Sequence, residues 1–406
     1  MIALAGRVVG LDIGSRNVRA VLAEARPDTG VGGNQAILGH GRAEARGVEG
    51  PDIVDPAALS AAVRDAIGGA EEVAGREAEA VCVGVPSHHV RSWMFESAVD
   101  LGGRPVSERH LLRLQTRAAE GTLPHDRRVI HVWRHHYSLD GTEVDDPLGH
   151  KGSRLRARMR VFAATSRVCG RLAQVVDRAG YTLDALAMGS IAAAGAVLGR
   201  AETASSTALI SVGASACDVL LFADGRIQHA AAIPWAGESM SRDLSRGLGV
   251  PLEVAEQAKL DHGFAMLEPE DSDVRVPVGE GPNGQPRRVS RALLVHIIQE
   301  RFDEILNLAK KEIGDAGEAS RIVLSGGGVM LPRTERLAQD VFGGNRNGGV
   351  AIRVGVPRSE VDEMSSPAWA TAAGLAQYGA ERRRPRGLEG AGNALSRAGQ
   401  WLREYF

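Results

Sequence analysis

The sequence has 406 residues, of which 44% are hydrophobic and 24% are charged, and its formal net charge at pH 7 is -2. These values are typical of a soluble globular protein with enough chain for two or three domains, and they exclude a collagen-like or wholly disordered chain. A net charge so close to zero gives no global attraction for nucleic acid, so any electrostatic function is local.

The cysteines and the amino-terminal segment indicate the compartment. Cys82, Cys169 and Cys217 are far apart in apolar or small-residue surroundings, without a CxxC motif, which predicts reduced thiols of a cytosolic protein. The chain opens without a charged segment before an apolar stretch, and no apolar run reaches the length of a membrane span. We therefore expect a protein that is neither secreted nor membrane-spanning.

The first predicted elements are a hairpin, a helix and a strand. Residues 8–24, VVGLDIGSRNVRAVLAE, have the pattern of a strand, a glycine-containing turn and a second strand. Residues 55–75 have the spacing of an amphipathic helix that begins after Asp55, and the apolar segment AVCVGVP at 80–86 predicts a strand. From 87 to 161, polar alternating runs surround one helical segment, which predicts a small inserted α+β module.

The second half of the chain repeats the hairpin after further helical patterns. Residues 208–225, ALISVGASACDVLLFADG, again indicate a strand, a glycine-containing turn and a strand. Helical patterns follow at 251–263 and 290–313, with a Pro- and Gly-rich break between them. RIVLSGGGVMLP at 321–332 predicts a strand, a triple-glycine turn and a helix start, and AIRVGVP at 351–357 predicts a late strand.

Three glycine turns, in the order hairpin, hairpin and strand–helix, are the main functional signal. Glycine lets backbone N–H groups turn toward a small anion, and a helix amino terminus favours the same charge. One such turn is common in α/β proteins, but the ordered set resembles the superfamily of actin, hexokinase and the heat-shock chaperones, in which the turns supply two phosphate loops and an adenosine loop. The resemblance implies an α/β, actin-like two-domain fold with a nucleotide cleft, an inserted small α+β subdomain and a C-terminal amphipathic helix.

Within that superfamily, the sequence resembles the FtsA family of bacterial cell-division proteins over nearly its whole length. GLDIGSRNVRAVLAE resembles the family's first phosphate loop, AVCVGVPSHHVRS the start of its inserted subdomain, and HVWRHHYSLDG with DPLGHKGSRL the end of that insert. AAIPWAGESMSRDLSRGLGVPLEVAEQAKLDHG resembles its nucleotide-proximal helices, IVLSGGGVMLP its adenosine loop, and ALSRAGQWLREYF its membrane-targeting helix.

This resemblance implies a site for ATP and Mg2+. Asp12 is implied to lie by the metal and the γ-phosphate, and Glu256 and Lys259, on one face of a helix, are implied to reach the ribose. A solvated surface pair is the alternative for Glu256 and Lys259. The implied nucleotide-binding residues are Asp12, Gly14, Ser15, Asn17, Gly213, Ser215, Glu256, Lys259, Gly326, Gly327 and Gly328, and the implied metal ligand is Asp12.

At two positions the sequence departs from the family pattern, and both departures predict weaker catalysis. Ser211 stands where the family's second phosphate loop begins with Asp, and Gly189 stands where a helix usually carries a Glu directed toward the attacking water. Phosphoryl transfer depends on positioned charge, and each lost group removes on the order of 2.7–4 kcal/mol of transition-state stabilisation. We expect ATP binding with weak or no hydrolysis and no catalytic residue. The alternative is that Asp218 or Glu238 serves the metal.

The C-terminal segment 393–406 has the spacing of an amphipathic helix, and an Arg-, Gly- and Glu-rich segment at 380–392 predicts an exposed linker before it. A helix packed on its own domain is the alternative, but the linker arginines favour a tethered helix that meets an anionic surface. These arginines are Arg382, Arg383, Arg384 and Arg386. The predicted membrane-binding residues are Leu395, Ala398, Trp401, Leu402, Tyr405 and Phe406.

The predicted units are the first actin-like core at 1–86 and 162–203, the inserted α+β subdomain at 87–161, the second actin-like core at 204–250 and 314–379, an outer subdomain at 251–313, the linker at 380–392 and the membrane-targeting helix at 393–406. We expect the inserted subdomain to lie away from the nucleotide cleft.

In the outer subdomain, the long helical pattern offers an apolar stripe and basic residues suited to a peptide of mixed character. These basic residues are Arg291, Arg301, Lys310 and Lys311. An ordinary core helix with a solvated face is the alternative.

The resemblance implies an actin-like cell-division adaptor that self-assembles and tethers filaments of the tubulin-like protein FtsZ to the cytoplasmic membrane. Its implied partners are the FtsZ C-terminal peptide, received by residues 251–313, copies of itself in a filament, anionic membrane lipids and other division proteins, with no nucleic acid. The implied location is cytoplasmic, peripheral on the inner face of the cell membrane at the division site. The alternatives are an actin-like scaffold of another membrane machine, such as type IV pilus assembly, and an active ATPase or kinase of the same superfamily.

Overall fold

The structure is a computed structural model that describes residues 6–25, 35–121, 123–280, 285–343, 349–359 and 361–383. The strands in these ranges are β1 (Arg7–Ile13), β2 (Asn17–Ala25), β3 (Gln35–Glu44), β4 (Val48–Glu49), β5 (Asp52–Ile53), β6 (Ala80–Val85), β7 (Val90–Asp100), β8 (Arg127–Leu139), β9 (Thr142–Val144), β10 (Arg154–Thr165), β11 (Leu183–Met188), β12 (Thr207–Val212), β13 (Cys217–Ala223), β14 (Arg226–Ile233), β15 (Arg275–Glu280), β16 (Pro286–Ser290), β17 (Arg321–Ser325) and β18 (Ala351–Val354). The α-helices are α1 (Pro56–Ala74), α2 (Glu108–Ala119), α3 (Ser166–Arg178), α4 (Gly189–Val197), α5 (Arg200–Ala204), α6 (Gly237–Leu248), α7 (Leu252–His262), α8 (Arg291–Ala316), α9 (Thr334–Phe342) and α10 (Ala370–Arg383).

Two five-stranded sheets share one strand arrangement. In the first, with strand order β11-β6-β1-β2-β3, three antiparallel strands continue into two parallel ones. In the second, with strand order β14-β13-β12-β17-β18, the same sequence of antiparallel and parallel pairings recurs. The hairpins β1–β2 and β12–β13 therefore occupy equivalent places, which confirms the two hairpins predicted from the sequence.

The first sheet is covered by helices on both faces. Helix α1 packs on β2 and β3, and helix α10 packs on β1 and β2. Four consecutive residues of β2, Ala20, Val21, Leu22 and Ala23, are 0% exposed. Because successive side chains of a strand point to opposite faces, this continuous burial requires cover on both sides of the sheet.

Helix α1 begins and ends where its local sequence signals predict. The carboxylate of Asp55 accepts hydrogen bonds from the backbone N–H groups of Ala57 and Ala58 at 2.9 and 3.1 Å, and Pro56 follows as the first helical residue. Gly75 ends the helix in the left-handed conformation at φ 61°. The predicted helix at 55–75 is therefore confirmed.

Helix α10 belongs to the first half, which corrects two predictions. Its side chains join the core cluster of the first sheet, although residues up to 379 were predicted as core of the second half. The linker predicted to start at 380 also starts too early, because Ala380 is helical and 0% exposed. Arg382 and Arg383 face Asp184, with N–O distances of 3.6 and 3.5 Å, instead of an external anionic surface. Most residues of this helix that pack in the first core are small, so hydrophobic spacing in the sequence does not indicate where the helix packs.

The segment predicted as an inserted α+β module forms its own layer. Strands β7, β10, β8 and β9 make one sheet, and α2 packs on it to enclose a separate core. In β10, exposed Arg154, Arg156 and Arg158 alternate with buried side chains. The end of β10 contributes to two cores: Val161 packs inside the module, whereas Phe162 packs in the first core.

Helices α6, α7, α8 and α9 join the second sheet in another core cluster. The Pro- and Gly-rich segment separates α7 from α8, as predicted, and it also contains the antiparallel pair β15–β16, which the sequence pattern did not indicate. Val276 and Val278 are 3% and 1% exposed and give this hairpin its attachment to the core. Across the described ranges, no helix has both the length and the apolar character needed to cross a membrane.

Two glycine-to-alanine substitutions test the packing of α10. A Cβ at Gly374 would lie 1.8 Å from the carbonyl oxygen of Ala192 in α4, whereas a Cβ at Gly68 in α1 meets nothing within 4 Å. We expect Gly374→Ala to lower the free energy of unfolding by about 1–3 kcal/mol or more, because α4 and α10 must move apart. Gly68→Ala is the matched control and should raise it by about 0.5–1 kcal/mol through helix propensity. Urea unfolding followed by circular dichroism measures both, and a Gly374→Ala variant as stable as the parent would contradict this packing.

Candidate functional site

A cavity of about 810 Å3 lies between the two halves of the molecule. This volume is within the range of about 300–1,000 Å3 typical of small-ligand sites. All eleven residues implied by the resemblance line it, together with Ser211, Asp218, Glu238 and Gly189. The fold therefore brings together side chains that are up to about three hundred positions apart in the sequence.

The two hairpin turns have the same backbone geometry. Gly14 donates its N–H to the carbonyl oxygen of Asn17 at 3.1 Å, and Gly213 donates to that of Ala216 at 2.9 Å. A Cβ at either glycine would lie 3.0 Å from the same acceptor oxygen, so a side chain at these positions would crowd the turn. Both turns thus keep the tight form that the sequence predicted.

The two turns touch across the cavity. Ser15 Oγ lies 2.8 Å from Ser215 Oγ and donates to the carbonyl oxygen of Gly50 at 2.6 Å. The amino terminus of α6 also stabilises the second turn, because the N–H groups of Gly237 and Glu238 donate to carbonyl oxygens of the turn. The hydroxyl and backbone groups of both turns therefore converge on one small region.

The third glycine turn packs against the end of β12. Gly326 has a φ of 87°, and a Cβ there would lie 2.4 Å from the carbonyl oxygen of Val212. A Cβ at Gly328 would lie 2.5 Å from Cγ1 of the same valine. Only glycine fits this close approach, which places the turn and the residues after it along the cavity wall.

Glu256 and Lys259 form a buried network, which excludes the solvated surface pair. The two residues are 7% and 6% exposed, and Lys259 Nζ donates to Glu256 Oε2 at 2.8 Å. Lys259 also donates to the Gly237 carbonyl and to Ser241 Oγ, each at 2.8 Å. From the opposite half, Arg16 lies 3.2 Å from Glu256. Although burial alone would raise the pKa of Glu256, Lys259 and its other partners hold it below the ordinary value.

Asp12 and Asp218 are two of the carboxylates that line the cavity. Burial raises the pKa of Asp12 to about 6, against the opposing charge of Arg19. Burial also raises the pKa of Asp218 to about 7, although Ser87 Oγ donates to its Oδ2 at 2.8 Å. Its Oδ1 is buried without a hydrogen-bond partner among the residues the structure describes.

Asp218 provides a carboxylate beside Ser211, the position at which the family pattern has Asp. The two residues face each other in the β12–β13 register, so a carboxylate is present on the neighbouring strand. Glu238 also lines the cavity, with an ion pair of 2.6 Å to Arg242. No group of three or more metal-ligating side chains occurs in the described part of the chain. Magnesium, however, usually takes one or two carboxylates with waters and substrate phosphates, and Asp12 with Asp218 fits that requirement.

The inserted module was expected to lie away from the cavity, but the first residues of the module line it. Ser87 and His88 line the cavity, because β6 ends there and the module begins directly after it. Trp133 is instead buried in the first core at 5% exposure.

Sequence reasoning missed Arg19 and Arg42, which also line the cavity. A usable signal was present, because Arg19 stands between Val18 and Ala20, both 0% exposed, in a strand covered on both faces. A charge in such a strand requires a partner or a cavity.

Comparison with known proteins matches the chain to one family. A profile of the family described as Cell division protein FtsA matches residues 208–374, and one described as SHS2 domain inserted in FTSA matches residues 87–163. The Cell division protein FtsA of Agrobacterium fabrum is 30% identical over 422 residues, covering 98% of this chain and 94% of that protein. The Cell division protein FtsA of Pseudomonas aeruginosa is 29% identical over 386 residues, covering 92% of this chain and 89% of that protein.

Two solved structures share the fold. The PilM-PilN type IV pilus biogenesis complex has a TM-score of 0.61 at 15% identity, covering 92% of this chain and 98% of that chain. MreB5 of Spiroplasma citri bound to ADP has a TM-score of 0.51 at 13% identity, covering 91% of this chain and 94% of that chain. At these identities the likeness concerns the fold alone, and it confirms the predicted actin-like architecture with its inserted subdomain.

Asp218→Asn tests the buried carboxylate through the pH dependence of stability. An unfolded Asp titrates near pH 3.9, so a folded pKa of about 7 means that the folded state binds more protons between these values. Stability therefore falls as pH rises through this window. We expect the variant to be more stable than the parent above pH 7, with the difference shrinking as pH falls toward 4.

Thermal unfolding in EDTA at several pH values measures this difference. Ser211→Ala, at the position paired with Asp218, is the control, because it removes a hydroxyl that does not titrate and should give a pH-independent offset. A parent protein more stable than Asp218→Asn at pH 8 would contradict the raised pKa.

Proposed function

The chain belongs to the FtsA family of cell-division proteins, and on that premise we propose that it is an actin-like adaptor that assembles with copies of itself and links FtsZ filaments to the inner face of the cytoplasmic membrane. Its cleft binds ATP with little or no hydrolysis, so the protein acts as a nucleotide-binding scaffold. Other division proteins are further partners, and the division site is its location.

The facing glycine turns are the observation that carries the nucleotide part of this proposal. The N–H groups of Gly14 and Gly213 close the turns themselves, and the turns then offer the hydroxyl groups of Ser15 and Ser215, one from each half, as donors to a phosphate chain. Gly326 and Gly328 pack against Val212, and Gly327, where a Cβ would meet nothing within 4 Å, lines the wall along which the adenosine would lie. The buried Glu256–Lys259 network holds a carboxylate and an ammonium within reach of the same cavity, where they suit the hydroxyl groups of a ribose.

The residues present fit a Mg2+ ion. Asp12 and Asp218 would hold it, and the orphaned Oδ1 of Asp218 is an acceptor that a hydrated cation would satisfy. A bound cation supplies charge neutralisation for the phosphates. The protein residues then have only to position the nucleotide and to exclude water.

Slow turnover follows from what the cavity lacks around the attacking water. Gly189, at the start of α4, has no side chain to orient a water, and the carboxylate that Ser211 lacks is present only on the neighbouring strand, at Asp218. The loss of one positioned group costs on the order of 2.7–4 kcal/mol of transition-state stabilisation. Binding depends mainly on the backbone turns, which are intact, so binding survives this loss more easily than turnover.

The exposed patch around Trp235 supports the site for the FtsZ C-terminal peptide. Trp235 is 40% exposed, and the Arg301 guanidinium lies 5.9 Å from its ring centroid. Arg301 is held in place by Asp243 at 2.5 Å. Tryptophan and arginine are the side chains most enriched at binding hot spots. Lys310, by contrast, donates to the carbonyl oxygen of Val341 at the end of α9, so its charge serves the fold.

The predicted membrane-binding residues 395–406 lie outside the described residues, and their role is proposed from sequence. Burying Leu395, Trp401, Leu402 and Phe406 would contribute at most about 1.5–3 kcal/mol each, less the cost of ordering the helix. Each arginine near an anionic leaflet adds about 1 kcal/mol. A single tail is therefore a reversible anchor, whereas a row of tails on a polymer binds strongly through multivalency.

Nucleotide binding and turnover are separable by experiment. We expect the full chain to bind ATP with Mg2+ in calorimetry and to release phosphate far below the about 1–100 s⁻¹ of protein kinases. Asp12→Ala should weaken binding, since it removes one of the two carboxylates available to the cation. If the parent protein releases phosphate at rates in the kinase range, and Asp12→Ala abolishes this release, then the cleft is an active enzyme site and this part of the proposal is wrong.

A vesicle assay tests the adaptor role. With anionic lipid vesicles, the full chain should pellet and carry FtsZ with it. Deletion of residues 393–406, or Trp401→Glu with Leu402→Glu, should release both proteins from the vesicles because charge on the apolar face opposes insertion.

Arg301→Glu should separate the two activities in the same assay, keeping the chain on vesicles while FtsZ stays in solution. The double variant Arg301→Glu with Asp243→Arg restores the ion pair in reverse and controls for folding, and it should still fail to carry FtsZ. Undiminished FtsZ pelleting by both Arg301 variants would place the peptide site elsewhere, and undiminished pelleting of the tail variants would reject the anchor.

A further inference from the structure

The inserted module contacts the second half of the molecule at β14, the edge strand of the second sheet. Arg160 of β10 donates from Nη2 to the carbonyl oxygen of Gln228 in β14 at 3.0 Å. Arg226 of β14 donates from Nη2 to Oδ1 of Asp145 in the module at 2.6 Å. None of these four residues lines the cavity. This module–β14 interface, where β8, β10 and β14 meet, therefore joins the two halves outside the cleft, and the functions discussed so far do not use it.

A β-bulge occurs on each side of the module–β14 interface. In β8 the register with β10 skips His135, and in β14 the register with β13 skips Gln228. A bulge leaves its extra residue outside the ladder and redirects its groups, and bulges are most frequent at sheet edges and beside functional sites. The carbonyl oxygen of Gln228 is thereby free to accept the hydrogen bond from Arg160.

Three side-chain nitrogens at this interface are shielded from solvent and have no hydrogen-bond partner among the described residues. They are Nδ1 of His135, Nε of Arg160 and Nε of Arg226, and each comes from a different strand. Buried donors in native proteins nearly always have an acceptor, which is a protein group, a water or an ion. An acceptor from outside the chain would therefore be favourable at this place.

Positive charge is in excess at the module–β14 interface. Burial lowers the pKa of His135, and the nearby guanidinium groups of Arg160, Arg158 and Arg226 lower it further. Among the described residues, Arg160 donates only to neutral oxygens. The carboxylate beside Arg226 belongs to Asp145, whose side chain is 87% exposed. A guanidinium held out of water without a buried carboxylate is unfavourable, and an anion would compensate for it.

We propose that the module–β14 interface is a binding site for a small oxyanion of the phosphate class, held by Arg160, Arg226 and His135. Phosphate has oxygen atoms on all sides, so one ion accepts hydrogen bonds from three strands, whereas a carboxylate has both oxygens at one end. Guanidinium groups bind phosphate strongly, and a neutral imidazole adds a donor without adding charge. Because the three nitrogens are shielded from solvent, the occupant is a free ion and not a phosphate carried by a lipid or a protein.

The ion enters from the solvent-facing side of the interface, where the side chains of Arg158 and Asp145 are 52% and 87% exposed. Arg226 exchanges its contact with Asp145 for the ion, because an exposed ion pair contributes little stability. The bound ion then holds the module against β14. Since the module is continuous with β6 and α3 of the first half, the ion fastens the two halves together.

Calorimetric titration of the full chain with inorganic phosphate, at constant ionic strength and with and without ADP and Mg2+, tests the site. The parent should bind phosphate in both conditions, and Arg160→Met and Arg226→Met should each weaken binding about ten-fold or more. Arg160→Lys should recover part of the affinity through its charge. Arg156→Met is the matched control, because it removes an exposed arginine from the same strand and should bind phosphate like the parent. Sulfate should compete with phosphate, and acetate should not.

Thermal unfolding separates ligand binding from a structural role of these arginines. Phosphate, compared with chloride at the same ionic strength, should raise the Tm of the parent and of Arg156→Met but not that of Arg160→Met. Each variant is compared with its own Tm in chloride, so a loss of folding stability does not imitate a loss of binding.

Four results would overturn the proposed site. They are a parent that binds no phosphate, unchanged affinity in Arg160→Met and Arg226→Met, competition by acetate equal to that by sulfate, and phosphate binding that ADP abolishes. The last result would place the ion in the cleft. The nucleotide proposal is independent of these results, because none of the three binding residues lines the cavity.

Discussion

The two glycine turns contact each other across the cleft, and each belongs to the central hairpin of one five-stranded sheet. Each turn joins the two strands of a hairpin, and Ser15 Oγ of one turn lies 2.8 Å from Ser215 Oγ of the other. Two more bridges join the halves nearby, from Arg16 to Glu256 at 3.2 Å and from Ser87 to Asp218 at 2.8 Å. These contacts fix how the two sheets face each other and set the width of the cavity.

The cavity concentrates charge that the surrounding fold only partly satisfies. Glu256 has Lys259, Ser241 and Arg16 as partners, which makes its network rigid. Asp12 and Asp218 instead have raised pKa values because burial disfavours their ionised forms. The fully paired groups hold the site in one geometry. The groups without full pairing remain available to bind a ligand. Under the proposed function, nucleotide then couples the two halves because its contacts come from both.

Helix α10 connects the cleft to the start of the C-terminal segment. Thr371, in its first turn, lines the cavity, and Arg383, at its end, lies near Asp184 and Glu79 of the first half. Close approach of Gly374 to α4 and of Gly10 to α10 keeps this helix against the first sheet. The proposed membrane tail therefore follows a helix that is packed against the first half.

Local signals in the sequence determined the repeated hairpins, the capped helix α1 and the residues that line the cavity through glycine turns. These features depend on neighbours along the chain, where strand alternation, capping and glycine conformation act over a few residues. Hydrophobic spacing did not reveal that α10 packs in the first half, because its contacts come from small residues such as Gly374, which meet a distant helix. Nor did it reveal the relation between Asp12, Asp218 and Arg19, since cross-strand register and burial decide which charges share a cavity. Only the tertiary structure supplied these neighbours, because the pKa of a carboxylate and the environment of a guanidinium depend on groups that lie far away in sequence and close in space.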